Sequence, residues 1–542
     1  MSHDFSRIPR SDISVSTFDR SHGVKTAFDS GKLIPIFLDE VLPSDTYEVK
    51  ASMMAKMLSP MVSAPMDNIF LDTQWFFVPS RLIWNNFTKM MGERVNPRDS
   101  IDFTVPTIKV NNFGFGEESL ADYLGIPPNC PNLEVNALPF RAYAKIWDDW
   151  YRSEQLQDSI IQEYEDLGDG NPNNINWNTI RRRGKRHDYF TSALPSPQLG
   201  ASVELPLGGS APVFGNGSPI RVTDNSHTYT LFAAKGDFKV NKSLDIVSTI
   251  GNSVDGTNTG GGALGFLKGS SSLVADLSSA TAVTVNALRT AIQLQRMLEK
   301  DSRSGGMRYK EIILAHFNCV SPDARLQRSE YLGGSSKLIN ITQHFQQSAT
   351  NPTIDETPQG NRIGTAQVYD EVIWKKSFTE HGYILGIANI RVDLNYQQGL
   401  NRLWSRKGRY DFYWPTLAHL GEQAILNKEI YAQGSQVKDS NNNIVDEQPF
   451  GYQERYAEYR YHPSIITGKL RSTSDTSLDV WHLAQYYESL PKLNNTWIQD
   501  NPPIERILAV QGEPQFIFDA YIDCKTTRAM PVYSIPGLVD HF

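Results

Sequence analysis

Apolar positions along this chain recur mostly with a period of two. In LDTQWFFVP, Leu71, Trp75 and Phe77 fall on one side and Asp72 and Gln74 on the other, and Pro79 closes the run. Strand signals extend from Tyr47 to Val78. Between Ala388 and Asn395, the residues Ala388, Ile390, Val392 and Leu394 alternate with Asn389, Arg391, Asp393 and Asn395, which predicts a half-buried strand. Phe516, Phe518, Ala520 and Ile522 repeat the pattern against Gln515, Asp519 and Asp523. Helical spacing is rarer. It occurs at Leu82, Ile83, Phe87, Met90 and Met91, and at Phe140, Tyr143, Trp147 and Trp150, where Asp148 and Asp149 take the polar side. A further helix is predicted over Ala287 to Lys300, capped by Asn286 and burying Leu288, Ile292 and Leu298, with another helical piece from Arg308 to Phe317. The first 45 residues show no helical period and read as an extended arm. Long connections separate the strands, without the regular alternating helices of a parallel sheet, so the prediction is a mainly β, antiparallel fold.

One stretch breaks the pattern. Ala201 to Val283 is dense in Gly, Ser, Thr and Asn, includes GGSAPVFGNGSP and GTNTGGGALG, and carries few charges. That composition favours loops. By itself it fits either a linker between two domains or an excursion from one.

Composition narrows the function classes. Among 542 residues, 40% are hydrophobic and 21% charged, which are globular values. Ten Trp and 23 Tyr exceed ordinary core needs and point to interfaces. The 52 basic against 60 acidic residues give a net charge of -8, which argues against a protein coating nucleic acid with its whole surface. A local basic patch stays open. Three cysteines, Cys130, Cys319 and Cys524, are too few and too scattered for a disulfide framework or a metal knuckle. The start MSHDFSRIPRSD lacks the apolar core of an export signal, and no run reaches the length of a membrane span, so a soluble, non-exported protein is expected.

Catalytic patterns fail on context. Gly260, Gly262 and Gly265 spell GxGxxG, but no helix pattern opens after them. His419 and Glu422 have the spacing of two helix-borne ligands, yet no third is near. Asp148 with Asp149, and Glu454 with Glu458, read as solvated faces. The expectation is no catalytic residue, no cofactor and no metal. Two stretches suit nucleic acid instead. Arg181, Arg182, Arg183, Lys185 and Arg186 put five cations into six residues, matching phosphate oxygens or, with slightly more weight, carboxylates at a subunit contact. In WSRKGRYDFYW, Arg406, Lys407 and Arg409 interleave with aromatics, as in single-strand binding sites or in an interface strand.

Longer phrases are more specific. RGKRHDYFTSALPSPQ (183–198), SPDARLQRSEYLGG (321–334), SFTEHGY (377–383), YQQGLNRLWSR (396–406), GYQERYAEYRYHPS (451–464) and MPVYSIPGLVDHF (530–542), with LADYLGIP (120–127) and ALPFRAYAKIWDDWY (137–151), resemble the major capsid proteins of gokushovirus-type microviruses. The resemblance implies one eight-stranded antiparallel jelly roll with large loop insertions, assembled in the host cytoplasm into a T=1 icosahedral virion shell around circular single-stranded DNA. It also implies a small basic DNA-binding virion protein and a minor pilot-type protein as partners, and no membrane insertion. The segment bounded by Ala201 and Val283 would be a variable protrusion that meets the host surface, with 1–200 and 284–542 forming one discontinuous domain. The competing reading is a carbohydrate-binding or carbohydrate-active β-sandwich, since exposed aromatics and Gly/Asn-rich loops also suit sugars.

Overall fold

Alternating strands bury one face only when a second sheet covers it. The computed structural model describes residues 14–110, 112–160, 179–198, 200, 285–303, 314–318, 327–347 and 359–533, with short strands at 213–215, 220–223, 228–231, 265–266 and 273–275. Ten strands build its two main sheets: β1 (Ser16–Asp19), β2 (His22–Phe28), β3 (Ile34–Val41), β4 (Thr46–Met57), β5 (Ile69–Pro79), β6 (Glu330–Leu338), β7 (Asn340–Phe345), β8 (Arg362–Ser377), β9 (Gly382–Val392) and β10 (Phe516–Arg528). The first sheet runs β1-β10-β4-β8-β7, with β2 also paired to β10, and the second runs β6-β5-β9-β3; every pairing is antiparallel. The order β2-β10-β4-β8 facing β3-β9-β5-β6 is that of a jelly roll, and β1 and β7 extend its first sheet beyond the expected eight strands. Strands from before residue 80 and after residue 329 pair within the same sheets, so both ends of the chain build one core.

That core follows the alternation. In β10, Phe516, Phe518, Ala520 and Ile522 point inward while Ile517, Asp519 and Tyr521 point out. Trp75 of β5 lies at its centre, fully buried, with ring centroids 5.1 Å from Phe37 and 5.9 Å from Trp374.

The second sheet departs from the half-buried expectation. Its outer face is covered by the helix Leu138–Ile146, whose Leu138, Phe140, Tyr143 and Ile146 pack on Phe76, Val78, Leu385 and Ile387. β9 is therefore buried on both faces, and its polar positions are partnered: Asn389 donates to the Lys32 carbonyl at 2.8 Å, and Arg391 pairs with Asp72 at 2.5 Å. The helix continues as a π-turn, Trp147–Tyr151. Asp148 and Asp149 are not solvated as expected. Ser159 donates to Asp148, while Asp149 accepts from the Ser329 amide at 2.7 Å and pairs with Lys145 at 2.8 Å, because the chain folds back over that side.

Other local expectations also change. Of the arm, residues 16–41 are not a loose extension but form β1 to β3. The segment after Pro79 holds only the turns Ser80–Leu82 and Phe87–Met90. Helix Val285–Arg303 begins before Asn286, and Leu288 and Ile292 are exposed on it, not buried. Of the piece at 308–317, residues 314–317 are helical and the rest lies outside the described residues.

Two compact units divide the chain: 1–197 with 301–542, and 198–300. The second contains short antiparallel pairings, Thr228–Leu231 and Gly265–Phe266 on Ile220–Thr223, and Leu273–Ala275 on Val213–Gly215. Gly265 lies in a strand and opens no helix, while Gly260 and Gly262 lie outside the described residues.

Replacing Trp75 by Ala removes a ring from the inter-sheet core and is expected to cost about 3–5 kcal/mol. Ile373→Ala, at an exposed position of β8, should stay within about 0.5 kcal/mol. Denaturant unfolding of the unassembled chain measures both.

Candidate functional site

The basic run is held by backbone before any side chain acts. Leu33 N–H donates to the Arg181 carbonyl (2.9 Å), Arg183 N–H to Gly31 (2.9 Å), Asp500 N–H to Arg183 (2.8 Å) and Lys185 N–H to Ile498 (2.8 Å). The run is thus a seam between residues 31–33 and 498–500. Gly31 permits the approach: it has φ +77°, and a Cβ there would lie 2.1 Å from the Asp500 carbonyl oxygen.

The five cations divide their partners within this chain. Arg181 lies over the Trp147 ring (5.6 Å), and burial pushes its guanidinium pKa down. Arg182 donates to the carbonyls of Ser30 (3.3 Å) and Asp500 (3.2 Å). Arg183 pairs with Asp72 at 2.7 Å, on the same carboxylate oxygen that Arg391 approaches. Arg186 pairs with Asp393 at 2.7 Å and lies over Phe70 at 4.1 Å. Lys185 is buried over the Trp497 ring at 4.3 Å, and desolvation lowers its ammonium pKa to about 8. Near it, burial raises the Asp500 carboxyl to about 7 against the opposing pull of Lys185 and three arginines.

The aromatic stretch is not a strand but a chain of 3-10 turns, Arg402–Ser405, Arg409–Asp411 and Pro415–Leu417. Asp411 fixes its bend by accepting from the amides of Lys407 (2.9 Å) and Gly408 (2.7 Å), bonds that hold its carboxyl below the usual range. Arg406 turns inward to Glu458 (3.4 Å) and the Tyr459 ring (4.2 Å). Beside it Arg402 binds Glu429 at 3.1 Å, and Glu429 accepts from Tyr189 at 2.9 Å. Glu458 is therefore paired and buried, not solvated. Lys407 and Arg409 stay outside, Arg409 stacked on Trp414 at 4.7 Å. On this pinned base Trp404 is 73%, Tyr410 66% and Phe412 53% exposed.

Glu422 lies on strand Glu422–Leu426 and binds Arg303, so the His419–Glu422 spacing marks no helix-borne pair. Among the described residues no group of three or more His, Cys, Asp or Glu is placed to hold a metal ion, and no helix is long and apolar enough to cross a membrane. Sequence reasoning missed Asp72, Arg391 and Asp500. Asp72 and Arg391 occupy polar positions of alternating strands, where charge normally signals solvent.

Asp72→Asn leaves two guanidiniums short of one buried anion and is expected to cost about 3–5 kcal/mol, measured by denaturant unfolding. Asp500 titrates near 7 folded against an ordinary 3.8, so the folded state binds the extra proton between those values. Its stabilisation is present below about pH 4 and lost as pH rises to 7. Thermal midpoints across this window should fall in the native chain relative to Asp500→Asn; parallel curves would refute the assignment.

A family model described as capsid protein (F protein) matches residues 6–538. The chain is 44% identical to capsid protein VP1 of Bdellovibrio phage phiMH2K over all of its own length and 98% of that protein. It is 40% identical to capsid protein VP1 of Chlamydia phage 1, covering 99% and 98% of the two chains, and 35% identical to that of Spiroplasma virus 4, covering 99% and 97%. Jelly roll, pinned aromatic surface and full-length similarity agree: this chain belongs to the capsid protein (F protein) family of the microviruses, in its gokushovirus-type branch.

Proposed function

We propose that this structural capsid protein, which catalyses no reaction, closes in many copies into a T=1 icosahedral shell around circular single-stranded DNA. The observation that carries this reading is the loop at 404–414. Aromatic rings held outward by a hydrogen-bonded bend and a buried Arg–Glu network are ordered before contact, so covering them costs little side-chain entropy. Such anchors supply most of the energy of a protein interface. Closed symmetry then multiplies one contact set through the whole shell.

The segment from Ala201 to Val283 is the protrusion that meets the host surface, and 1–200 with 284–542 are the discontinuous shell domain. Support comes from the pairing of β1, β4 and β5 with strands beyond residue 329, which leaves no room for a linker between two self-sufficient domains. Low charge and turn-forming composition suit a loop that varies without disturbing the shell. The net charge of -8 leaves the genome's phosphates to be balanced elsewhere. A small basic virion protein and bound cations supply most of that charge, a minor pilot-type protein completes the particle, and assembly takes place in the host cytoplasm.

Electron microscopy of purified protein and infected lysate tests the shell directly; free monomers under every condition defeat it. Trp404→Ser with Tyr410→Ser should leave the chain folded while reducing particle yield by about tenfold or more, as expected for interface anchors. A Gly/Ser bridge replacing residues 201–283 should permit particles yet impair attachment to the host. Normal attachment by such particles rules out the protrusion as the receptor-binding element.

A further inference from the structure

Lys185 and Asp500 lie on the same side of the seam. The pairing is antiparallel through Gly184 and Gln499, with Lys185 N–H donating to the Ile498 carbonyl (2.8 Å) and Asp500 N–H to the Arg183 carbonyl (2.8 Å). Lys185 therefore faces Ile498, Asp500 faces Arg183, and the lysine and aspartate are diagonal neighbours, about 7–8 Å apart along the backbone and within reach of a long side chain. Both are buried, at 6% and 3% exposure. Neither is fully partnered. Among the described residues the Lys185 ammonium forms no ion pair or hydrogen bond and rests on the Trp497 ring, and Asp500 Oδ2 has no hydrogen-bond donor. Both residues line one cavity of about 10 Å³, with Val392, Leu394, Leu483 and Tyr396 on its other walls. That is room for a single water molecule.

Two charges held out of water without an ion pair are costly, and burial favours their neutral forms, an amine and a carboxylic acid. Desolvation brings the ammonium down to about 8 and the carboxyl up to about 7, so both neutral forms are reached near neutral pH. A neutral lysine amine is a nucleophile. A protonated carboxyl, unlike a carboxylate, can accept it at carbon and release its hydroxyl as water. We propose that Lys185 and Asp500 join in an intramolecular isopeptide bond. The amine nitrogen attacks Asp500 Cγ and forms the C–N bond, the bond from Cγ to the hydroxyl oxygen breaks, and the hydroxyl departs with one amine proton as water. No oxidant, reductant or co-reactant takes part. The seam supplies proximity, because backbone hydrogen bonds hold both residues before they react. The bond closes residues 185 to 500 into one covalent loop, which stabilises the fold in the way a disulfide across a long loop does. The proposal concerns the single chain and does not depend on the shell. Neither group titrates once linked, so the pH dependence of stability argued for Asp500 is that of the unlinked chain.

Intact-mass spectrometry of the full-length folded chain tests the bond. The chain should be lighter than its sequence by one water, and proteolysis should release a branched peptide joining residues 185 and 500. Lys185→Arg keeps the positive charge and removes the nucleophile, while Asp500→Ala removes the electrophile; each should restore the full sequence mass. Should either variant fail to fold, the native chain alone carries the reading, since its mass and its branched peptide need no variant. Full sequence mass in the folded native chain overturns the proposal. A water loss that maps to any other residue, or that persists in Lys185→Arg, overturns it as well. In chain isolated unfolded and then refolded, linkage should be fastest between about pH 7 and 8: below that window the amine is charged, and above it the carboxyl is. A linkage rate that only rises with pH overturns this pairing of groups.

Discussion

Asp72 is 3% exposed and carries two guanidiniums on one oxygen, Arg183 at 2.7 Å and Arg391 at 2.5 Å. The pair ties β5, β9 and the seam before residue 187 into one unit, three pieces separated by hundreds of residues in sequence. A buried carboxylate facing one arginine roughly breaks even against its desolvation. Facing two, it leaves a net positive charge in the seam. That surplus pulls the Asp500 carboxyl down, but desolvation outweighs it, and desolvation likewise sets the opposite displacement of Lys185. Both groups are penalised by burial, and each is partly rescued by the other. The seam is held by backbone hydrogen bonds, so the surplus is fixed in position and cannot relax into solvent.

The alternation in β10 was fully legible because one of its faces is wet: Asp519 and Asp523 sit outside while Phe516 and Phe518 sit inside. The same reasoning named the inward residues of β5 and β9 correctly and misread their other face. Phe76 and Val78 beside Asp72, and Leu385 and Ile387 beside Asn389, show that this face is also covered. Covering it requires the helix Leu138–Ile146, whose docking no local window encodes. The arm hid three strands for a different reason. Interspersed charged and small polar residues mask the period in β1 and β2, which pair at the edge of the first sheet with β10, and β3 opens with the apolar run IPIFL, which has no alternation to detect. Long-range pairing, and not local preference, makes these residues strands.

The candidate site was legible as composition and not as geometry. Five cations in six residues announced that something anionic was needed, but not that Asp72, Asp393 and the Ser30 and Asp500 carbonyls lay within the same chain. Arg406 and Arg409 were indistinguishable by sequence. One points inward to Glu458 and the other outward over Trp414, a difference set by the Asp411 bend between them. The longer phrases carried the family identity because they join many such local decisions in one order.

Charge placement links the fold to the container it builds. A chain with a net charge of -8 still concentrates its buried arginines in one seam, where they act on its own carboxylates. Low dielectric strengthens each of these contacts, and the shared carboxylate of Asp72 keeps Arg183 and Arg391 from repelling each other apart. The two guanidiniums thereby clamp β5 and β9 to the seam, so the rigidity of the jelly roll that presents the 404–414 loop depends on the same charges.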